Sequence, residues 1–433
     1  MKVDERFLTE QGPEIFTGNE LLLKGALETE GGVHLLGGYP GSPVAGFFDA
    51  IRLAKDLLNA KGIRAVINNN EALAAAMLNG SQLADCRAMI VIKSVGVHVA
   101  ADALALGNLA GASSKGGAIV VYGDDPWSDS TQVPADSRFI SKHLFIPTIE
   151  PSTPQEVKDF VDLGFKLSAS SELFVGYVLT TNLADGGGTV ICKPNHYPHL
   201  NTKQRMVLES EAIDLDKRVL LPPKTWWQEA TLPERHRRAV LNARQLGFNK
   251  VIYPADGPDK KEVGFITSGL ACAYLLQALA EMDLLGEFPI LKFGMSYPID
   301  AELVEQFAQK CRQIIVVEER RGFLEEQVAQ VITLARQRNH PAGNVQLWGK
   351  RFPDGLEGIP SERGLHPSIL IERIGKFLKS IFDKKARSVS RKNDFEGAED
   401  DESQDDLLAR RISAINREME IIQRAEQIDV GRL

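Results

Sequence analysis

Residues 33–69 read "VHLLGGYPGSPVAGFFDAIRLAKDLLNAKGIRAVINN". A short apolar run, Val33 to Leu36, ends in two glycines. The stretch from Pro43 to Gly62 then carries its apolar residues at helical spacing, and Arg64 to Ile67 is a β-branched run before three asparagines. Two short strands divided by a helix of ten or more residues are joined in parallel, by a right-handed crossover. The alternation spreads outward from this unit. "GNELLLKGALETE" precedes it as a helix; "NEALAAAMLNGSQLA" (helix), "AMIVIKS" (strand), "VAADALALGNLAG" (helix) and "GAIVVYGDD" (strand) follow. The spacing predicts an α/β fold, a doubly wound parallel sheet over residues 1–181.

The rhythm breaks over 182–258, where "DGGGT", "KPNHYPHL" and "LLPPKTWW" suggest a connecting segment rather than a third core. It resumes over 259–382 with "EVGFITSG", "LACAYLLQALAEM", "FPILKFG", "DAELVEQFAQKC", "RQIIVVEE" and "GFLEEQVAQVITLARQ", a second and smaller α/β domain. Residues 383–406 run from basic "DKKARSVSRKN" to acidic "DFEGAEDDESQDD" and should form a charged, disordered linker. In 407–433, Leu408, Ile412, Ile415, Met419 and Ile422 make one apolar stripe on an amphipathic helix. That helix either folds back on its own domain or, the favoured reading, docks on a partner subunit.

A net charge of −8 offers no general attraction to nucleic acid or anionic lipid, so neither is expected as a partner. No apolar stretch approaches the roughly 20 residues that span a bilayer, and the start "MKVDERFLTEQG" lacks the basic and apolar regions of a signal peptide. A cytoplasmic location is expected. Cys86, Cys192, Cys272 and Cys311 form no Cys-x-x-Cys pair, so no metal site is expected on this chain.

In an open parallel sheet, ligands collect beyond the carboxyl ends of the strands, where helix N-termini aim their N–H groups. Four strand-end segments stand out: Tyr39-Pro40-Gly41-Ser42-Pro43, Asn68-Asn69-Asn70-Glu71, Lys93 to His98, and Gly123 to Ser128. In the first, Pro43 at an early helical position would leave Ser42 as the N-cap, open to a carboxylate ligand. The same residue types also make ordinary turns. In the second, Glu71 opens an alanine-rich helix, where a carboxylate complements the helix dipole whatever else it does. Lys93 and His98 are candidate ligand contacts on the third loop, though a lysine ending a strand is commonly a solvated charge.

"GGYPGSP", "NEALA", "IKSVGVHVAAD" and "GDDPWSDSTQVPADSRF" together resemble the alpha subunit of indolepyruvate ferredoxin oxidoreductases, thiamine-diphosphate-dependent 2-oxoacid:ferredoxin oxidoreductases. The resemblance covers about residues 17–180 and 262–375, the later part through "GFITSG", "LKFGMSYPID" and "IIVVEERRGFLEEQV". It implies a pyrimidine-binding domain over 1–181 and a transketolase C-terminal-like domain over 259–382. It implies that Glu71 is catalytic, hydrogen-bonded to the aminopyrimidine N1′ so that the 4′-nitrogen can take the thiazolium C2 proton. Asn70 and Gly96 join Glu71 in holding the cofactor. Tyr39, Pro40, Gly41 and Ser42, with Lys93 and His98, face the 2-oxoacid; Ser42 stands where the family often has threonine.

The resemblance is incomplete. Related enzymes bind Mg²⁺ and the diphosphate on a Gly-Asp-Gly loop with an asparagine further on, and "GDDPWSDS" is a near match with no suitable asparagine after it. Mg²⁺ and 4Fe-4S clusters are therefore expected on partner chains: a diphosphate-binding, ferredoxin-like subunit and a gamma-type subunit. Oxidative decarboxylation of a 2-oxoacid to an acyl-coenzyme A, with electrons passed to ferredoxin, is the implied reaction. A non-oxidative thiamine-dependent decarboxylase subunit and a noncatalytic scaffold subunit are the alternatives. Glu318, Glu319, Arg320 and Arg321 read either as a subunit boundary or as plain surface charge.

Overall fold

The computed structural model describes residues 3–200, 210–254, 257, 260–396 and 402–430. They form two compact units: Met1–Lys250 with Ser268–Leu270 and Phe293–Asp300, and Val251–Thr267 with Ala271–Lys292 and Ala301–Leu433.

The first unit opens with β1 (Gly12–Thr17), α1 (Gly18–Glu28), β2 (Leu35–Gly38), α2 (Gly46–Leu53), α3 (Lys55–Ala60), β3 (Arg64–Ile67) and α4 (Glu71–Ser81). It continues with β4 (Arg87–Lys93), α5 (Ser94–Ala110), β5 (Gly117–Asp124), α6 (Ser137–His143), β6 (Thr148–Ile149), α7 (Pro154–Ser171), β7 (Val175–Thr180) and α8 (Thr181–Ala184). Then come β8 (Gly187–Cys192), α9 (Leu215–Arg218), α10 (Lys224–Glu229) and α11 (Leu232–Gln245). Further along the chain are β9 (Asn249–Tyr253), β10 (Lys261–Ser268), α12 (Gly269–Glu281), β11 (Ile290–Phe293), β12 (Met295–Tyr297) and α13 (Ala301–Ala308). The last elements are β13 (Cys311–Val317), α14 (Phe323–Gln337), β14 (Gln346–Trp348), α15 (Pro367–Glu396) and α16 (Glu402–Val430).

A seven-stranded sheet in the order β12-β6-β7-β5-β4-β2-β3 organises the first unit, parallel throughout except that β12 runs antiparallel to β6. β5 is buried along its whole length and β4 and β7 nearly so, which is why they read as continuous apolar runs. Leu21, Phe47, Leu58 and Phe165 fill a core that includes residues of α1, α2, α3 and α7; Ala74, Leu78, Val97 and Leu104 of α4 and α5 fill a separate one. The doubly wound architecture expected from the alternation is therefore present.

Parts of the connecting segment, residues 187–192, 218 and 235, are tied into this unit. β8 pairs antiparallel with β1, from Gly12 opposite Cys192 to Thr17 opposite Gly187. Arg235 of α11 donates to the carbonyls of Asn108 (3.2 Å) and Leu109 (2.9 Å), and Arg218 donates to those of Ala110 and Gly111. Two guanidiniums thus meet the last turn of α5, the end of a helix that favours positive charge.

The second unit holds a five-stranded sheet in the order β14-β13-β10-β11-β9. Glu318 is fully buried and caps α14, accepting N–H groups of Leu324 (2.9 Å) and Glu325 (2.8 Å), while Glu319 accepts the Leu365 N–H at 3.0 Å. Neither carboxylate is plain surface charge. Where a disordered linker is expected, α15 runs on to Glu396; residues 397–401 lie outside the described residues. The apolar stripe of α16 packs on its own unit, with Ile415 fully buried and Leu408, Ile412, Met419 and Ile422 around the same core. This corrects the favoured reading of a partner-docking helix. Gly375 makes the approach possible, since a Cβ there would stand 3.1 Å from Ile415 Cγ2. No described helix is long and apolar enough to cross a membrane.

Candidate active site

Chain order and strand order disagree at one place. From β2 the chain crosses outward to β3 at the sheet edge, then returns to β4 on the other side of β2. The helices after β2 and β3 therefore leave on opposite faces, and a crevice opens beyond the carboxyl ends of β2 and β4, where an open α/β sheet binds its ligand. The segments at its rim are Tyr39–Pro43 and the start of α5.

Glu71 is the first residue of α4. Asn70 starts that helix: its Oδ1 accepts the Leu73 N–H at 2.8 Å, so this side chain is engaged as a cap and is otherwise exposed. Glu71 itself is only 7% exposed, and among the described residues its carboxylate has no hydrogen bond or ion pair. Gly96, in the first turn of α5, lies directly against it. A Cβ at Gly96 would stand 2.3 Å from Glu71 Oε1, 2.6 Å from its Cγ and 2.7 Å from its Cδ. The carboxylate fills the space a side chain at 96 would need.

The segment Lys93–His98 is not a loop. Lys93 is the last extended residue and α5 begins at Ser94, directly after β4. Lys93 packs its stem against Gly41, where a Cβ would meet Lys93 Cδ at 2.7 Å, so the loop after β2 and the end of β4 touch. The first turn of α5 thus borders both Gly41, through Lys93, and Glu71, through Gly96. His98 is exposed, and two residues along a helix place it away from Gly96. The structure does not bring it to Glu71.

The loop after β2 also departs from expectation. Ser42 is not the N-cap: the Ser42–Pro43 peptide is cis, the Val44 N–H donates to the Gly41 carbonyl at 3.0 Å, and α2 starts only at Gly46. Proline serves the turn instead of the first helical position. Tyr39, Pro40 and Ser42 are exposed, and Pro43 is buried. Gly38 has φ +139°, with Val91 O 2.0 Å from where its Cβ would be, so β2 can end here only in glycine. Asn68, given no role of its own in the sequence, stitches the ends of β3 and β2: its N–H donates to the Gly38 carbonyl (2.9 Å) and its Oδ1 accepts the Gly38 N–H (3.2 Å). The asparagine run before Glu71 was the signal for it.

Two carboxylates of the "GDDPWSDS" loop are engaged by groups of the chain itself. Asp125 accepts the N–H groups of Asp129 (3.1 Å), Ser130 (2.7 Å) and Thr131 (2.7 Å), which hold it below the usual carboxylate range despite its burial. Asp124 accepts the Ser137 N–H at 2.9 Å and its hydroxyl at 2.5 Å; burial, with Asp136 nearby, pushes it up to about 7. Among the described residues, no group of three or more His, Cys, Asp or Glu is arranged so that it could hold a metal ion.

The fold has a counterpart among solved structures. The solved 2-oxoglutarate:ferredoxin oxidoreductase from Magnetococcus marinus, with 2-oxoglutarate, coenzyme A and succinyl-CoA bound, superposes at a TM-score of 0.59 and 14% identity, over 84% of this chain and 65% of that one. The fold is that of the 2-oxoacid:ferredoxin oxidoreductases. Residues 255–399 match the family model of the indolepyruvate oxidoreductase domain. Indolepyruvate oxidoreductase subunit IorA of Archaeoglobus fulgidus is 31% identical over 73% of this chain and 48% of its own length. The Pyrococcus abyssi subunit is 30% identical over 84% and 52%. The chain belongs to this indolepyruvate oxidoreductase subunit family, and it spans about half the length of the curated relatives it matches.

Proposed function

We propose that this chain is a subunit of a 2-oxoacid:ferredoxin oxidoreductase of the indolepyruvate type and supplies the pyrimidine half of a thiamine diphosphate site. The observation that carries the reading is Glu71, buried, without a protein partner and fitted against Gly96 beside the crevice. With no partner in its own chain, the carboxylate is left available to a ring nitrogen of the cofactor. Thiamine diphosphate, when bound, supplies a carbon nucleophile that adds to the 2-oxoacid carbonyl and an electron sink as CO₂ leaves.

This chain's residues do the rest of their half. Glu71 holds a hydrogen bond and a shared proton at the aminopyrimidine N1′. Gly96 keeps the carboxylate's place open, and Asn70 fixes the helix that presents it. Ser42 donates its hydroxyl to the substrate carboxylate, Lys93 adds positive charge at the same crevice, and Tyr39 and Pro40 wall it. His98, on the other side of its helix, has no part. The net reaction converts a 2-oxoacid and coenzyme A to CO₂, an acyl-coenzyme A and a proton, with two electrons passed to ferredoxin. Mg²⁺ and the iron-sulfur clusters sit on partner chains, and an aromatic 2-oxoacid is the substrate, as the relatives' name suggests.

The test is the complex purified with the products of neighbouring genes and assayed for 2-oxoacid-dependent reduction of a viologen dye. Glu71→Gln should lower turnover by about 10²-fold or more, within the range for general acid–base groups, and weaken thiamine diphosphate binding by calorimetry. Undiminished turnover would remove Glu71 from the mechanism. CO₂ release without dye reduction would favour a decarboxylase, and an assembled complex that binds no thiamine diphosphate a scaffold.

A further inference from the structure

We infer that Asn19, which has no role in the site above, is the positioning residue that fixes the Tyr39–Pro43 loop for the substrate carboxylate; this rests on the reading of Ser42 under Proposed function. Asn19 lies in the first turn of α1 and is 4% exposed. Its Nδ2 donates to the Pro43 carbonyl at 3.0 Å and to the Ala184 carbonyl at 3.1 Å. One amide therefore joins the loop after β2 to α8.

The surroundings are shaped to bring it there. The Gly18 N–H donates to the Gly186 carbonyl at 2.9 Å, and a Cβ on Gly18 would stand 1.8 Å from Leu183 O, so only glycine lets α1 start this close to α8. On the loop side, a Cβ on Gly46 would come within 3.0 Å of Asn19 Nδ2. Asn19 Oδ1, by contrast, is buried with no hydrogen-bond partner. An apolar side chain would leave no orphaned oxygen here, so packing alone does not ask for asparagine. Both N–H groups of the amide are used, and both hold carbonyls.

Pro43 has no N–H of its own to anchor, so its carbonyl is the handle by which the turn can be held. Ser42 stands exposed on the preceding residue, and among the described residues its hydroxyl has no partner. Its place is set by what holds Pro43. A ligand contact set in this way acts as uniform binding: losing it raises KM and leaves kcat.

Two readouts test this. In the full chain, hydrogen exchange of the segment 39–48, which contains the Val44 N–H bonded to the Gly41 carbonyl, should quicken at least tenfold in Asn19→Asp, where an oxygen faces two carbonyl oxygens, and in Asn19→Ala, which removes both donors without adding bulk. Exchange elsewhere should match the parent, which shows that the variants are folded. In the assembled complex both variants should raise KM for the 2-oxoacid about tenfold, with kcat within threefold and thiamine diphosphate affinity unchanged. Unchanged exchange in the segment overturns the anchoring role. Quickened exchange with unchanged KM overturns the link to substrate. If the parent complex turns over no 2-oxoacid, the functional reading fails and takes the substrate link with it, while the exchange result still decides the anchor.

Discussion

Gly96→Ala tests the pairing of α5 with Glu71 by the smallest change available. Gly96 is not among the positive-φ glycines, so alanine can adopt its backbone, and the fewer conformations left to the unfolded chain should add about 0.4–1 kcal/mol. Against that stands the new methyl, 2.3 Å from Glu71 Oε1, where ordinary contact begins near 3.4 Å: a clearance of 3.4 − 2.3 = 1.1 Å has to be found. The nearest atoms belong to the end of a side chain, so the carboxylate moves rather than the helices. Overpacking of this kind costs about 1–3 kcal/mol, which leaves net stability between about that of the parent and roughly 2.6 kcal/mol below it. On the role proposed for Glu71 the functional cost is at least as large, because a displacement of about 1 Å at a reacting group is worth about 10²-fold, or roughly 2.7 kcal/mol at 1.36 kcal/mol per tenfold. Dye-linked turnover of the assembled complex, thiamine diphosphate titration and thermal unfolding read these separately. A Gly96→Ala complex that binds and turns over within twofold of the parent would refute the reasoning, because the added methyl would then have displaced nothing that matters.

Two further expectations concern stability. Asp124, buried and raised to about 7 from an ordinary 3.8, stays protonated when folded while the unfolded chain ionises; the unfolded state then binds fewer protons, and stability falls as pH rises between those values and levels off above about 7. Asp124→Asn should flatten the unfolding midpoint over that window, and an unaltered slope would show that Asp124 is ionised in the fold. Ile415→Ala should cost about 2–5 kcal/mol in urea unfolding, because a fully buried side chain is truncated; a loss below 0.5 kcal/mol would mean that α16 is not held on its unit.

The parallel sheet was legible because its strands are buried on both faces and read as apolar runs such as "AMIVIK". Glu71 and the two glycine-rich turns were legible because strand ends are where such folds place chemistry. What could not be read is where chain direction changes. Nothing in "KSVGVH" separates a loop from a helix that starts at once, and the choice falls to the packing of Gly96 on Glu71. Pro43 suits a helix start or a turn equally, and a contact twenty-four residues distant, the Asn19 amide, helps to hold the turn. Asn19 carried no signal of its own, because a short polar side chain near the start of a helix is ordinary. The stripe on α16 showed that the helix has an apolar side but not which surface receives it; the opening at Gly375 belongs to another element.

β12 has a practical consequence for dissecting the protein. It comes from residues 295–297, long after the first unit's other strands, and covers β6, whose two residues are fully buried. Cleaving the polypeptide after Lys250 would strip that cover, leave a raw sheet margin, and take away the Gly294 carbonyl that receives the Glu150 N–H at 2.8 Å. A fragment built on the first unit has to graft residues 293–300 back on, or keep the whole chain.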